Sequence, residues 1–232
     1  MIEKLRSNVA SVRERIAASA DRSGRSADDV TLVAVTKYVD SVVTEALFQV
    51  GCEDLGENRP QVLWDKADAI GQPDLKWHLI GHLQRNKVAR TAPITSLIHS
   101  VDSNRLLNSI NSVGADLERP IHVLLEVDIS GDEAKHGYDE PGLADALEYA
   151  SSLKYVHVSG LMGMAGLGLG ESETRHQFAR LRELKEKYAS QSSASIELKE
   201  LSMGMSNDFE WAIEEGATIV RVGSLLLEGV IS

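Results

Sequence analysis

The sequence predicts an α/β protein, a (β/α)8 barrel of the TIM type with an additional N-terminal helix. Three observations carry this. From Thr31 onward, short β-branched or apolar runs alternate with longer amphipathic stretches. That alternation implies parallel strands joined by right-handed crossovers. Eight such runs within about two hundred residues suit a closed barrel better than an open doubly wound sheet. No Pro- or Ser-rich linker divides the chain, although Gln191–Ser195 reads as a polar loop. Residues 1–232 are therefore expected to form one domain.

The elements follow in order. Ile2, Leu5, Val9, Val12 and Ile16 recur at spacings of three and four among charged residues, which predicts an amphipathic helix packed on the body of the protein. Strands are expected at Thr31–Thr36, Asp54–Gly56, Trp77–Ile80, Leu97–Val101, His122–Asp128, His157–Met162, Glu200–Ser202 and Thr218–Val222. Between them, helical periodicity covers Ser41–Val50, Arg59–Ile70, Asn104–Val113, Leu143–Leu153, Thr174–Tyr188 and Asp208–Glu215. Asn207 followed by Glu210 resembles an N-cap with a reciprocal acidic partner.

Composition excludes several function classes. Among 232 residues, 24 are Lys or Arg and 35 are Asp or Glu, a formal net charge of -11. A nucleic-acid binder needs a concentrated basic excess, and the run from Arg85-Asn86-Lys87 to Arg90 is short. The single cysteine, Cys52, excludes an intrachain disulfide and a Cys-based metal cluster, and reads as a small buried apolar residue. The N-terminus has no apolar signal core, and the uncharged stretch Tyr155–Gly170 is too short and too glycine-rich to span a bilayer. A cytoplasmic protein with no membrane partner is expected.

In such a barrel the C-terminal ends of the strands form the chemically active face. Lys37 follows the apolar run Leu32-Val33-Ala34-Val35-Thr36 and would stand at the mouth. There a partly desolvated amine can condense with a carbonyl, although a solvated lysine at a strand end is the simpler reading of Lys37 alone. Two further loops change the balance. Leu201-Ser202-Met203-Gly204-Met205-Ser206 and Ile219-Val220-Arg221-Val222-Gly223-Ser224 are strand ends running into Gly/Ser turns. Loops after the seventh and eighth strands are the usual phosphate position in this fold, and glycine turns offer backbone N–H groups to anions. A lysine at strand one with two phosphate-type loops suggests a phosphorylated aldehyde.

These residues resemble the pyridoxal phosphate homeostasis protein family, a single-domain relative of the fold-type III barrel of alanine racemase. The matching stretches are Val33 to Lys37, Leu55-Gly56-Glu57-Asn58, Trp77 to Lys87, His99-Ser100-Val101-Asp102, Val127 to Ser130, Lys135-His136-Gly137, Gly160-Leu161-Met162, Leu201 to Asp208 and Val220 to Ser224. The resemblance implies a protein that holds pyridoxal 5′-phosphate (PLP) as a Schiff base on Lys37 without robust turnover. It further implies that Ser202, Ser206, Gly223 and Ser224 bind the phosphate, that Arg221 faces the pyridine nitrogen, and that Asn58 contacts the cofactor near the ring. PLP-dependent apoenzymes would be the recipients. An amino-acid racemase is the alternative, but it needs a base on each face of the substrate α-carbon. In alanine racemases the second base comes from a further domain that this sequence lacks. Tyr38 and Tyr138 are the only tyrosines near the expected mouth, and a monomer is expected. A Schiff-base aldolase would explain Lys37 and the phosphate loops but not Arg221.

The sequence departs from the family pattern in places. His82 stands where proline is common, Arg59-Pro60 where Tyr-Val is frequent, Leu227-Glu228 where an aromatic often precedes the glycine, and the loop Met164 to Gly170 is unusually rich in glycine. That loop reads G-x-G-x-G, not the dinucleotide fingerprint. His78 and His82 lie four apart with no third ligand evident, so no metal site is expected. Glu214-Glu215 and Asp132-Glu133 read as solvated acidic pairs, and Trp64, Trp77 and Trp211 as packing between barrel and helices.

Overall fold

The computed structural model describes residues 1–130 and 136–231; Asp132-Glu133 and Lys135 lie outside the described residues. Helix α1 (Ile2–Arg22) buries Leu5, Val9, Val12 and Ile16 along one stripe, as the spacing predicts, while Ile2 stays exposed. The chain then forms β1 (Thr31–Val35), α2 (Ser41–Gln49), β2 (Asp54–Glu57), α3 (Pro60–Ile70) and β3 (Lys76–Leu79). It continues through α4 (Val88–Thr91), β4 (Thr95–Val101), α5 (Asn104–Asp116), β5 (Ile121–Glu126) and α6 (Glu140–Ser151). Last come β6 (Val156–Met162), α7 (Glu171–Tyr188), β7 (Ile196–Ser202), α8 (Phe209–Glu214), β8 (Ile219–Val222) and α9 (Ser224–Leu227).

Among the described residues, eight strands pair in chain order and β8 returns to β1, closing a parallel barrel. The closing register sets Val33 opposite Arg221 and Ala34 opposite Val222. Strand alternation then sorts side chains between two cores. Ala34, Ile98, Val220 and Val222 face outward into the layer beneath the helices. Val33, Leu97, Leu124, Met162 and Ile219 form a separate cluster. The alternation that turns Val33, Leu97 and Ile219 into the barrel turns His99 and Arg221 the same way.

Helix α1 closes over the end of the chain. Asn8 Nδ2 donates to Leu226 O at 3.0 Å and Glu228 O at 2.9 Å, and Arg15 forks onto Glu210 through Nε and Nη2. Among the described residues no helix is long and apolar enough to cross a membrane.

Several boundaries differ from expectation, each for a local reason. β7 begins at Ile196 because Ile196 and Leu198 are buried while Glu197 and Lys199 point out, an alternation masked by the charges. β5 ends at Glu126, after which Val127 makes an isolated bridge to Tyr138. α6 starts at Glu140, capped by the Asp139 carboxylate, which accepts from Gly142 N. Asn207 does not cap α8: Asp208 precedes the helix and its carboxylate turns back to accept from Met205 N at 2.6 Å. The four-residue helices α4 and α9 are too short to leave a periodic signal.

Candidate functional site at the open end of the barrel

Lys37 lies two residues beyond β1, at the C-terminal mouth, with its side chain exposed. Its Nζ sits 4.8 Å from the ring centre of Tyr38. Thr36, immediately before it, is fully buried and tied on both sides. The Thr36 hydroxyl donates to Glu57 Oε1 at 2.7 Å, and Lys66 Nζ donates to Thr36 O at 2.8 Å. Lys66 also donates to Glu57 Oε1, closing a triangle of two charges and a threonine beneath the mouth. Glu57 Oε2 is buried and, among the described residues, has no hydrogen-bond partner. Lys66 is the member of this triangle that sequence reasoning missed: it lies nine positions after Glu57, too remote to read without the β2–α3 turn.

Asn58 follows β2 and is half-buried. Gly81, in the loop after β3, approaches it so closely that a Cβ there would lie 2.2 Å from Asn58 O. Ser100 Oγ donates to Gly81 O at 2.5 Å and holds this loop to β4. The Ile80-Gly81-His82 stretch is thus a support for the Asn58 loop.

On the opposite side of β1, the loops after β7 and β8 meet. Gly223 N donates to Ser206 Oγ at 3.2 Å, so Ser206, Gly223 and Ser224 come together. The first amides of α9 have no intrahelical acceptor. Gly204 supports the turn with φ +91, and a Cβ there would lie 2.6 Å from Ala212 Cβ. Ser202 is placed differently. As the last residue of β7 it points into the barrel, fully buried, where its Oγ lies 2.9 Å from His99 Nδ1 and accepts from Arg221 Nη1 at 2.6 Å. The structure therefore brings Ser206, and not the Ser202 hydroxyl, to the Gly223 turn.

Arg221 projects from β8 into the interior; its Nη2 donates to Gly163 O at 3.2 Å. Burial pulls its guanidinium down to about 10, against Glu126 and Asp208, which act the other way. From Ser202 a line of polar groups continues down the barrel. His99 Nε2 lies 2.9 Å from His78 Nδ1, and His78 Nε2 lies 2.9 Å from Asp54 Oδ1 at the entrance of β2. The Asp54 carboxylate accepts only, so His78 Nε2 carries a proton. Burial, then His78 and Arg221, hold the His99 imidazolium form well out of reach, so His99 is neutral. One assignment satisfies every partner: Arg221 donates to Ser202, Ser202 to His99, His99 to His78, and His78 to Asp54.

Further round the mouth, Glu126 ends β5. Burial first, then the Asp102 carboxylate, raise it to about 7, while Arg221 and His136 pull it down. Tyr138 donates its hydroxyl to Asn104 Oδ1 at 3.2 Å, and burial, reinforced by Asp102, pushes its pKa upward so that the hydroxyl keeps its proton. His78 and His82 do not share a site. His78 is committed inside the barrel, whereas His82 Nδ1 lies 3.2 Å from Asp102 Oδ2 and its ring stacks on His136. Trp77 is buried as expected, and Trp64 packs under Arg90 while donating to Thr91 Oγ1 at 3.1 Å.

Residues 2–229 match the family described as alanine racemase, N-terminal domain. The pyridoxal phosphate homeostasis protein of Aquifex aeolicus is 39% identical over 215 residues, covering 93% of this chain and 93% of that protein. Among solved structures, PipY of Synechococcus elongatus PCC7942, determined with PLP bound, superposes with a TM-score of 0.85 at 34% identity over 96% of this chain and 99% of that one. An unknown protein from Bifidobacterium adolescentis superposes with a TM-score of 0.91 at 33% identity, covering 97% and 95% of the two chains.

Proposed function

This chain belongs to the pyridoxal phosphate homeostasis protein family, and from that premise we propose that it holds PLP on Lys37 as a Schiff base and passes it on without robust turnover of its own. The observation that carries the reading is the placement of Lys37 beyond β1, with the Ser206–Gly223–Ser224 turn beside β1 and the buried Arg221 beneath that turn. The donor set fits the cofactor's charge. Two hydroxyls and the first amides of α9 suit a phosphate dianion.

When bound, the cofactor supplies an aldehyde that a lysine amine can join and a pyridine ring that withdraws electrons. The chain's own residues determine how far that chemistry goes. Lys66 and Glu57 hold Thr36, and so set where the adjoining Lys37 leaves the strand. Arg221 would face the pyridine nitrogen as a donor-only group, which favours the unprotonated ring and weakens carbanion stabilisation. Ser202 contributes through Arg221, accepting from its Nη1 while Gly163 O accepts from Nη2. Asn58, supported by Gly81, would contact the cofactor near the ring. Tyr138 is a poor second base, because its hydroxyl is tied to Asn104 and its acidity is suppressed. We take the recipients to be PLP-dependent apoenzymes and the carrier to act as a monomer in the cytoplasm.

Absorbance spectroscopy tests the reading. Wild-type protein with PLP should show a visible band that borohydride abolishes, with the label fixed on Lys37. Lys37→Ala should lack the band yet retain weakened, phosphate-anchored binding. Cofactor at one hundred times its dissociation constant should stabilise the fold by about 2.7 kcal/mol. A protein that takes up no PLP, or a band unchanged in Lys37→Ala, would overturn it; racemisation of added alanine at enzymatic rates would overturn the carrier role alone.

A further inference from the structure

Apart from the residues assigned to the cofactor, three consecutive loops of the barrel mouth bring two imidazoles and a carboxylate to one point. His82 follows β3, Asp102 follows β4, and His136 lies between β5 and α6. One ligand-type atom from each lies within 4.8 Å of the other two. His82 Nδ1 is 3.2 Å from Asp102 Oδ2, and the rings of His82 and His136 stack with centroids 5.1 Å apart. Ligand atoms set 2.0–2.2 Å from a tetrahedral ion stand about 3.4 Å apart, so the first pair already has coordination spacing. The exposed His136 ring has only a short distance to close.

Charge supplies an independent reason for a cation here. The Asp102 side chain is only 12% exposed, and among the described residues no Lys or Arg forms an ion pair with it. Glu126, a second buried carboxylate, lies within its electrostatic reach. A buried carboxylate without a strong counter-charge is costly unless a cation joins it.

We propose that His82, Asp102 and His136 bind a divalent transition-metal ion of the Zn²⁺ class. Two imidazole nitrogens and one carboxylate oxygen suit such an ion better than Mg²⁺ or Ca²⁺, which prefer all-oxygen shells. Three protein ligands leave at least one coordination position open. Beside His82 lies a cavity of about 570 Å³ lined also by Gln84, Arg85 and Arg105. The two arginines would hold an anionic group, carboxylate or phosphate, that occupies the open position. His82 is also a departure from the family pattern noted above, so the site is a feature of this chain's own sequence and does not depend on the cofactor reading.

The test is titration of the full chain, without added PLP, with Zn²⁺ followed by calorimetry and with Co²⁺ followed by its visible d–d absorbance. One ion should bind per chain, and His82→Ala, Asp102→Asn and His136→Ala should each weaken binding by about tenfold or more. His122→Ala should bind as wild type; it removes one ring of the His122–His157 pair, whose centroids are 4.8 Å apart, elsewhere on the barrel. His82→Cys should restore binding and add a thiolate-to-Co²⁺ absorption band, a gain of signal that misfolding cannot imitate. Absence of stoichiometric binding, binding indifferent to all three substitutions, loss in His122→Ala, or no thiolate band in His82→Cys would each overturn the assignment.

Discussion

Arg221 and Ser202 are joined by a 2.6 Å hydrogen bond inside the closed barrel, and through it a cationic side chain near the mouth is connected by His99 and His78 to Asp54 at the other end. Every link has one donor and one acceptor, so the line has a direction, from guanidinium to carboxylate. A buried arginine without a direct carboxylate partner is uncommon. Among the described residues no carboxylate pairs with Arg221; a hydroxyl, backed by the imidazoles, and a backbone carbonyl accept from it instead.

Ser202→Ala tests this line at its centre. The substitution leaves an Arg221 N–H and His99 Nδ1 buried without partners, at a cost of about 1–3 kcal/mol. Urea unfolding should show a loss of stability of that size, as a lower midpoint with unchanged m-value. The visible spectrum of the PLP-loaded variant should also move, because Arg221 loses one of its two anchors. An unshifted spectrum with lowered stability would reduce the line to a purely structural role.

Glu57 and Lys66 invite a different comparison. Lys66→Met removes the cation and leaves the Glu57 carboxylate buried, which should cost about 3–5 kcal/mol. Changing both, Glu57→Leu with Lys66→Met, removes the charges together and should recover most of that loss in thermal unfolding. The double variant should still lose PLP affinity, since Thr36 is then unclamped and Lys37 is no longer held. Equal affinity in wild type and double variant would show that the triangle does not position Lys37.

How much of this was legible in the sequence depends on the reach of each signal. The eight strands and the α1 stripe were readable because period-2 and period-3.6 patterns are local. The position of Lys37, Gly223 and Ser206 at the barrel mouth was readable because each sits just after an apolar run. The orientation of Ser202 was not readable: it is the last residue of the strand and not the first of the loop, and so alternates inward to Arg221. The Asp54–His78–His99 line and the His82–Asp102–His136 cluster were illegible. Each gathers residues from different strands or loops, and only barrel closure and stagger decide which of them meet.

Cys52 offers a simple check on the outer core. It is 2% exposed, and burial first, offset by Arg13 and reinforced by Asp54, pushes its thiol to about 11. The thiolate is the reactive form, so the native protein should be inert to a thiol reagent at pH 8, and should react with one equivalent only after unfolding. Rapid reaction of the folded protein would contradict the burial of this residue in the outer core.

Glu126 makes the pH dependence of the metal-free protein unusual in sign. Its carboxyl is raised to about 7 by burial and by Asp102, despite the opposing Arg221 and His136. In the unfolded chain it titrates near 4.5, the value it holds without these neighbours. Between these two values the unfolded state releases its proton while the folded state retains it. The unfolded state therefore binds fewer protons, and stability falls as pH rises through this window. The full stabilisation from this group is present below about pH 4.5 and is gone above about pH 7. With 2.5 units between the values, the loss amounts to about 3 kcal/mol. Glu126→Gln is isosteric and cannot ionise, so its stability should match wild type near pH 4 and exceed it by up to that amount at pH 8. Chemical denaturation at the two pH values measures the difference. A wild-type-minus-variant gap that is flat across the window, or that opens toward acid, would show that Glu126 is ionised in the folded protein at pH 5.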